Sequence, residues 1–357
     1  MHIEELLQMT VERDASDIIL TVGSPPVLRI DKELVFTQLE ILSPEKIDQL
    51  IEPVLDDSQK AQFNKFSELS FIYSLSGCGR FRITAFKQRG STALAIRRVP
   101  SQLPSFEELN LPEKTLRNFS ILKDGLVLIT GPAGGGKSTT LASIIKILND
   151  EASYHIITVE EPIEYLFKHN KSIIEQRDIP YDSPSFSAAL DDALRQNPDV
   201  IVVGEVREPQ TLRATLRIAE SGILVLATFH TPTATETLNR LLNFFPGEEH
   251  QIQRQLSMVL RGVFSQQLVP LFQKKGLIPA WEVLIVNERV ATLLREGNIH
   301  QIDNVIETSA KAGMQSMSQS LISLYQRNLI SKKEFISRIK DKEREEVKRL
   351  LTEDEEA

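Results

Sequence analysis

Gly131-Pro132-Ala133-Gly134-Gly135-Gly136-Lys137-Ser138-Thr139 reads G-x-x-x-x-G-K-S, the spacing of a phosphate-binding loop. The apolar run 126–130 enters it and a helix-compatible run, 139–148, leaves it. That strand–loop–helix context is what the motif requires. Glycines let the backbone bend so that successive N–H groups face phosphate oxygens. The following helix offers the same anion its partly positive N-terminus. Lys137 is expected on the β- and γ-phosphates of ATP, and the Ser138 hydroxyl on Mg²⁺.

Outward from the loop, residues 110–270 repeat the pattern strand, loop, helix. The runs 126–130, 156–159, 200–203 and 223–228 are continuously apolar, as strands buried on both faces of a largely parallel sheet must be. Each run ends in polar residues: the loop, Glu160-Glu161, Glu205 and His230. Ligands of open α/β sheets bind outside the carboxyl ends of the strands. The expectation is therefore an α/β fold whose strand ends converge on one nucleotide. Glu160 could orient the attacking water. Glu205 fits the Walker B slot and would hold Mg²⁺, directly or through water, with Ser138. His230 reads either as a capping side chain or as a γ-phosphate sensor, and the residues alone favour the cap. Eight arginines, Arg80, Arg82, Arg97, Arg98, Arg207, Arg213, Arg217 and Arg240, are candidates for the positive charge that phosphoryl transfer needs, and spacing does not choose among them.

The chain has 357 residues, enough for two domains and a helical appendage. Residues 1–100 read as a small α/β domain, with a helix over 3–13, strands over 17–22 and 26–30, and a helix opened by Ser43-Pro44-Glu45. A hairpin pairs 69–75 with 80–86, and 93–99 is a further strand. Residues 101–112 are proline-rich and read as a linker. The nucleotide domain spans 113–286, with a strand over 277–286. Residues 287–357 read as helical, with a last helix capped by Ser331 and a charge-dense end over 341–357.

Net charge is −8 and the pI near 5.5, a balance that disfavours nucleic acid as the main partner. The single cysteine, Cys78, allows neither an internal disulfide nor a Cys-based zinc site, which suits a reducing compartment. No apolar run approaches the roughly 18 residues of a membrane span, and the acidic start, with Glu4 and Glu5, is unlike a signal peptide. The expectation is a cytoplasmic protein that reaches a membrane only through a partner.

These residues reach a known pattern. The chain resembles the type IV pilus retraction ATPases, the PilT and PilU branch of the secretion ATPases. The resemblance rests on Ala15-Ser16-Asp17-Ile18, Pro25-Pro26-Val27-Leu28-Arg29-Ile30-Asp31, Gly79-Arg80-Phe81-Arg82 and the phosphate loop. It continues through Thr158-Val159-Glu160-Glu161-Pro162-Ile163-Glu164-Tyr165, Asn197-Pro198-Asp199 to Gly204-Glu205-Val206-Arg207, Ala219-Glu220-Ser221-Gly222 to His230-Thr231, and Gly313-Met314-Gln315-Ser316-Met317. It implies a homo-hexamer of PAS-like N-terminal and RecA-like ATPase domains. Glu160 matches the catalytic carboxylate and Glu205 the Walker B one. Arg82 and Arg97 match the N-domain arginines that approach the phosphates on domain closure. His230 becomes a functional His-box residue. Hydrolysis would drive motion relayed to an inner-membrane platform protein, depolymerising a pilus, with a paralogous retraction ATPase as a further partner.

The departures are specific. Ala133 and Gly135 stand for Thr and Ser in the loop, Glu161 and Glu208 for Asp, and Ile223 for the first His of the His box. The retraction motif Ala-Ile-Arg-Asn-Leu-Ile-Arg-Glu reads Arg289-Val290-Ala291-Thr292-Leu293-Leu294-Arg295-Glu296. They motivate the alternatives of an accessory PilU-like ATPase or a weakly hydrolysing adaptor. A pilus extension or type II secretion ATPase ranks lower, because such relatives carry a four-cysteine zinc module.

Overall fold

The computed structural model describes residues 2–30, 33–99, 103–274 and 276–339. The charge-dense end over 341–357 and the first two linker residues lie outside these. Two compact units result: residues up to 99 with Glu164–Leu166, and the remainder from Leu103.

The first unit is one six-stranded antiparallel sheet with helices. Its elements are α1 (Ile3–Glu12), β1 (Asp17–Leu20), β2 (Val27–Ile30), β3 (Glu33–Phe36), α2 (Pro44–Ile51), α3 (Asp57–Phe66), β4 (Glu68–Leu75), β5 (Gly79–Gln88) and β6 (Ser91–Val99). The strand order is β3-β2-β1-β6-β5-β4. Ser43 caps α2 as expected, its hydroxyl accepting from the Lys46 N–H. The expected hairpin forms, with Leu69 opposite Ala85 and Leu75 opposite Gly79. Strand β3 and helix α3 carry weak apolar periodicity and escape the sequence reading; every β3 residue is exposed. One row of cross-strand neighbours is chemically notable. Arg29 faces Asp17, Asp17 faces Arg97, and Arg97 faces Arg82. Asp17 pairs with Arg97 at 2.9 Å and Arg29 at 3.6 Å, while Arg82 Nε donates to Ser70 Oγ at 3.1 Å. The row carries three guanidiniums and one carboxylate.

The second unit contains α4 (Phe106–Leu109), α5 (Glu113–Ser120), β7 (Gly125–Thr130), α6 (Lys137–Glu151), β8 (His155–Glu160), β9 (Ile173–Asp178), α7 (Phe186–Ala193), β10 (Val200–Val203), α8 (Pro209–Glu220), β11 (Leu224–Phe229), α9 (Ala234–Asn243), α10 (Glu249–Val259), β12 (Leu260–Pro270), β13 (Leu277–Ile285), α11 (Glu288–Glu296), α12 (Ile302–Thr308), α13 (Met317–Gln326) and α14 (Lys332–Arg338). The segment read as a linker holds α4, closed by a reciprocal Ser105–Glu108 capping box.

The sheet order is β13-β12-β7-β11-β10-β8-β9, parallel throughout except β13. Strands β7, β10 and β11 are buried at every residue. Alternation explains how: Leu126 and Leu128 enter the core beneath α7, α8, α9 and α10, while Val127 and Ile129 enter the opposite core with α5 and α6. Helices α13 and α14 pack a smaller core against β12 and β13, and Ser331 caps α14 by accepting from Glu334 N–H. Among the described residues no helix is long and apolar enough to cross a membrane.

Candidate active site

Parallel register aligns the strand ends. Thr130 lies opposite Phe229, and Val203 opposite both Ala227 and Val159. The residues that follow each strand, Gly131, His230, Gly204-Glu205 and Glu160, therefore emerge at one edge of the sheet. The loop runs from Gly131 into α6, whose first residue is Lys137. Gly134 and Gly136 adopt φ of +71° and +85°, left-handed geometry that β-carbon-bearing residues resist.

Lys137 is buried, at 7% exposure. Its Nζ donates to the carbonyls of Gly131 and Pro132 at 3.0 and 2.9 Å and meets His230 Nδ1 at 3.2 Å. An ammonium only donates, so Nδ1 accepts and the imidazole carries its proton on Nε2. That Nε2 lies 3.0 Å from Glu205 Oε1. The second Glu205 oxygen takes Arg207 at 2.6 Å, and Arg207 reaches Glu161 at 3.1 Å. One chain of polar contacts thus runs Lys137–His230–Glu205–Arg207–Glu161. Burial works to raise the Glu205 pKa, but the hydrogen bond and charge of Arg207, with the hydrogen bond from the His230 Nε2–H, outweigh it and hold the carboxyl below its usual range. Arg207 is correspondingly raised, first through its hydrogen bond to Glu205.

Glu160 ends β8, where its Oε1 accepts from Thr158 Oγ1 at 2.6 Å and Gln176 Nε2 at 3.3 Å. Two hydrogen bonds to an anionic oxygen fix its direction. Gly204 lets it approach: the Gly204 N–H donates to the Val159 carbonyl at 2.7 Å, and a Cβ there would lie 3.0 Å from Glu160 Cα.

The arginines now separate. Arg207 belongs to the polar chain, and Arg240 supports it by donating to the His230 carbonyl at 3.1 Å while its guanidinium lies 5.6 Å from the Phe229 ring centre. Arg213 and Arg217 pair elsewhere, with Glu248 and Asp191, and Arg98 pairs with Asp14. Arg82 and Arg97 stand in the exposed row of the first unit. Ile223 precedes β11 and packs on the core, a strand's length from His230. Thr158, Gln176 and Gln266 were missed by sequence reasoning. Gln266 could have been found from its position one residue past a run aligned with β7, had β12 been recognised.

A metal fits this arrangement only with help. Among the described residues no cluster of three or more His, Cys, Asp or Glu could hold one. Mg²⁺ is ordinarily held by one or two protein oxygens together with substrate phosphates and waters. Ser138, in the first turn of α6, and Glu205 supply oxygens of that hard kind.

The model of the type II/IV secretion system proteins matches residues 71–356. The type IV pilus ATPase PilU of Pseudomonas aeruginosa is 39% identical over 91% of this chain and 85% of its own. The type IV pilus retraction ATPase PilT of the same organism is 38% identical, over 93% and 96%. A crystal structure of the pilus retraction motor PilT with bound ADP superposes with a TM-score of 0.90, at 40% identity, covering 96% of this chain and 98% of that one. By the family match over residues 71–356 and these identities over nine-tenths of the chain, the chain belongs to the type II/IV secretion system protein family and, within it, to the PilT/PilU ATPases of type IV pili.

Proposed function

We propose that this chain is a cytoplasmic, homo-hexameric motor that hydrolyses Mg²⁺-bound ATP to retract type IV pili and so drive twitching motility. The observation that carries the chemistry is the buried Lys137 joined through His230 to Glu205 at the mouth of the loop. Residues 131–139 would cradle the phosphates. Ser138 and Glu205 would hold the ion, which supplies charge neutralisation on the transferring phosphoryl group. Glu160, aimed by Thr158 and Gln176, would orient the water. His230, hydrogen-bonded on both ring nitrogens, would report to Glu205 whether Lys137 is engaged. Arg82 and Arg97 would supply positive charge from the N-terminal domain. The motion would reach an inner-membrane platform protein, with a paralogous ATPase as a further partner. The domain limits proposed are 1–100, 101–112, 113–286 and 287–357.

The near-equal identity to PilU and PilT does not separate main from accessory motor; a cellular test does. Lys137→Ala should abolish ATP turnover by the purified chain, and cells carrying it should bear excess surface pili and fail to twitch. Normal retraction in those cells that continues even when any paralogous ATPase is also removed would overturn the proposal, and loss of surface pili would point to extension. Retraction that persists until a paralogue is also removed would assign the accessory role.

A further inference from the structure

Strand β12 runs parallel to β7 with Ser265 opposite Thr130, the two hydroxyls bonded at 2.7 Å. The next residue, Gln266, is 1% exposed and lies against the phosphate loop. Its Nε2 donates to the Gly135 carbonyl at 2.5 Å, and its Oε1 accepts from the Thr140 hydroxyl at 2.6 Å. A Cβ on Gly131 would fall on the Gln266 carbonyl oxygen, and one on Gly136 would lie 2.8 Å from Nε2.

The peptide unit between Gly135 and Gly136 is planar and trans, so its carbonyl and N–H point in opposite directions. Turning the Gly135 carbonyl back toward β12 sends the Gly136 N–H away from the sheet strand, to the side on which such loops cradle phosphate. The reversed peptide would offer phosphate a carbonyl and set an N–H against the amide nitrogen of Gln266. Since a carbonyl only accepts, the amide must present Nε2 to Gly135, and Thr140 satisfies the Oε1 that remains. The side chain is thus orientationally locked at both ends.

We propose that Gln266 is a positioning residue of the nucleotide site, presetting one phosphate-facing backbone donor before the triphosphate arrives. The inference rests on the ATPase site and is independent of the retraction role.

The test uses the purified full chain and three variants. Gln266→Glu is nearly isosteric but sets a carboxylate against the Gly135 carbonyl. Gln266→Leu removes both hydrogen bonds, and Thr140→Val removes only the locking hydroxyl. Calorimetric titration with ATP in Mg²⁺ buffer, steady-state kinetics and nucleotide-free melting temperature are measured together. The expected result for both Gln266 variants is a roughly tenfold or greater rise in KM and in the Kd for ATP. Thr140→Val should give a smaller rise, and melting temperatures should fall much less than affinity does. A merely structural residue would lower the melting temperature and scale down kcat with the folded fraction, leaving KM and Kd at wild-type values; that result overturns the proposal. If neither Gln266 variant folds, an unchanged ATP affinity in Thr140→Val overturns it equally.

Discussion

Lys137 dictates the protonation pattern around it, because an ammonium without a lone pair forces His230 to accept at Nδ1 and donate from Nε2. Glu205 then sits between the imidazole N–H and the Arg207 guanidinium and is stabilised as the anion. Its pKa is lowered on folding, so its contribution to stability is complete above the ordinary carboxylate value, about 4.3, and is lost as pH falls through the folded value. Glu205→Gln lacks that contribution at every pH. The melting-temperature advantage of the wild type over Glu205→Gln, measured without nucleotide, should be level from neutral pH to about pH 5 and shrink below it. An advantage that grows on acidification would contradict the reading of Glu205 as an anion held by Arg207. Residues of this kind were legible in part. Glu160 and Glu205 follow apolar runs and stand out as candidates, whereas His230 reads as a cap until the family resemblance is added; Thr158 and Gln176 only aim Glu160 and look like ordinary strand residues until the strands pair.

At the scale of elements, the site depends on how closely β8 and β10 approach. Gly204 sits where the two strands end, and a Cβ there would lie 3.0 Å from Glu160 Cα and 3.1 Å from the Val159 carbonyl oxygen, so the β8 end would have to give by a few tenths of an ångström. Gly204→Ala should push the two strand ends apart, at a cost on the order of 1–3 kcal/mol. Glu160 and Glu205 ride on those ends, so kcat should fall at least tenfold, as expected when positioned groups shift. Thermal denaturation and steady-state turnover check this; wild-type turnover in Gly204→Ala would show that the spacing is unimportant. Element recognition itself tracked burial. The four central strands carry the longest apolar runs, within 126–130, 156–159, 200–203 and 223–228, and are read directly from sequence. Strand β9 has mixed burial, β12 continues straight from α10, and β3 lies at the exposed edge of its sheet, so periodicity did not mark any of them. Missing β12 meant missing Gln266, a loop contact supplied from the side of the sheet opposite β11.

On the scale of the whole molecule, the question is what the first unit contributes to an ATPase whose phosphate loop lies in the second. Arg82 and Arg97 are direct cross-strand partners, and like charges so placed repel by a few tenths of a kcal/mol to about 1 kcal/mol. Asp17 offsets part of this through Arg97, while Arg82 donates to the Ser70 hydroxyl and, among the described residues, pairs with no carboxylate. A row arranged for stability alone would place a carboxylate opposite Arg82. In the role proposed for Arg82 and Arg97, this uncompensated charge would receive an anion, at some expense to the isolated unit. Arg82→Ala should therefore leave the nucleotide-free melting temperature unchanged or slightly raised while lowering ATP turnover by tenfold or more, within the 10³–10⁵ ceiling known for an arginine finger, about 4–7 kcal/mol. Arg97→Ala should lower turnover similarly but also lose its Asp17 pair, so its melting temperature should not rise. Parallel measurement of melting and turnover separates the two effects. Full turnover in both variants would remove the first unit from the chemistry and leave the second to hydrolyse ATP with Arg207 and Arg240 as the arginines joined to its polar chain.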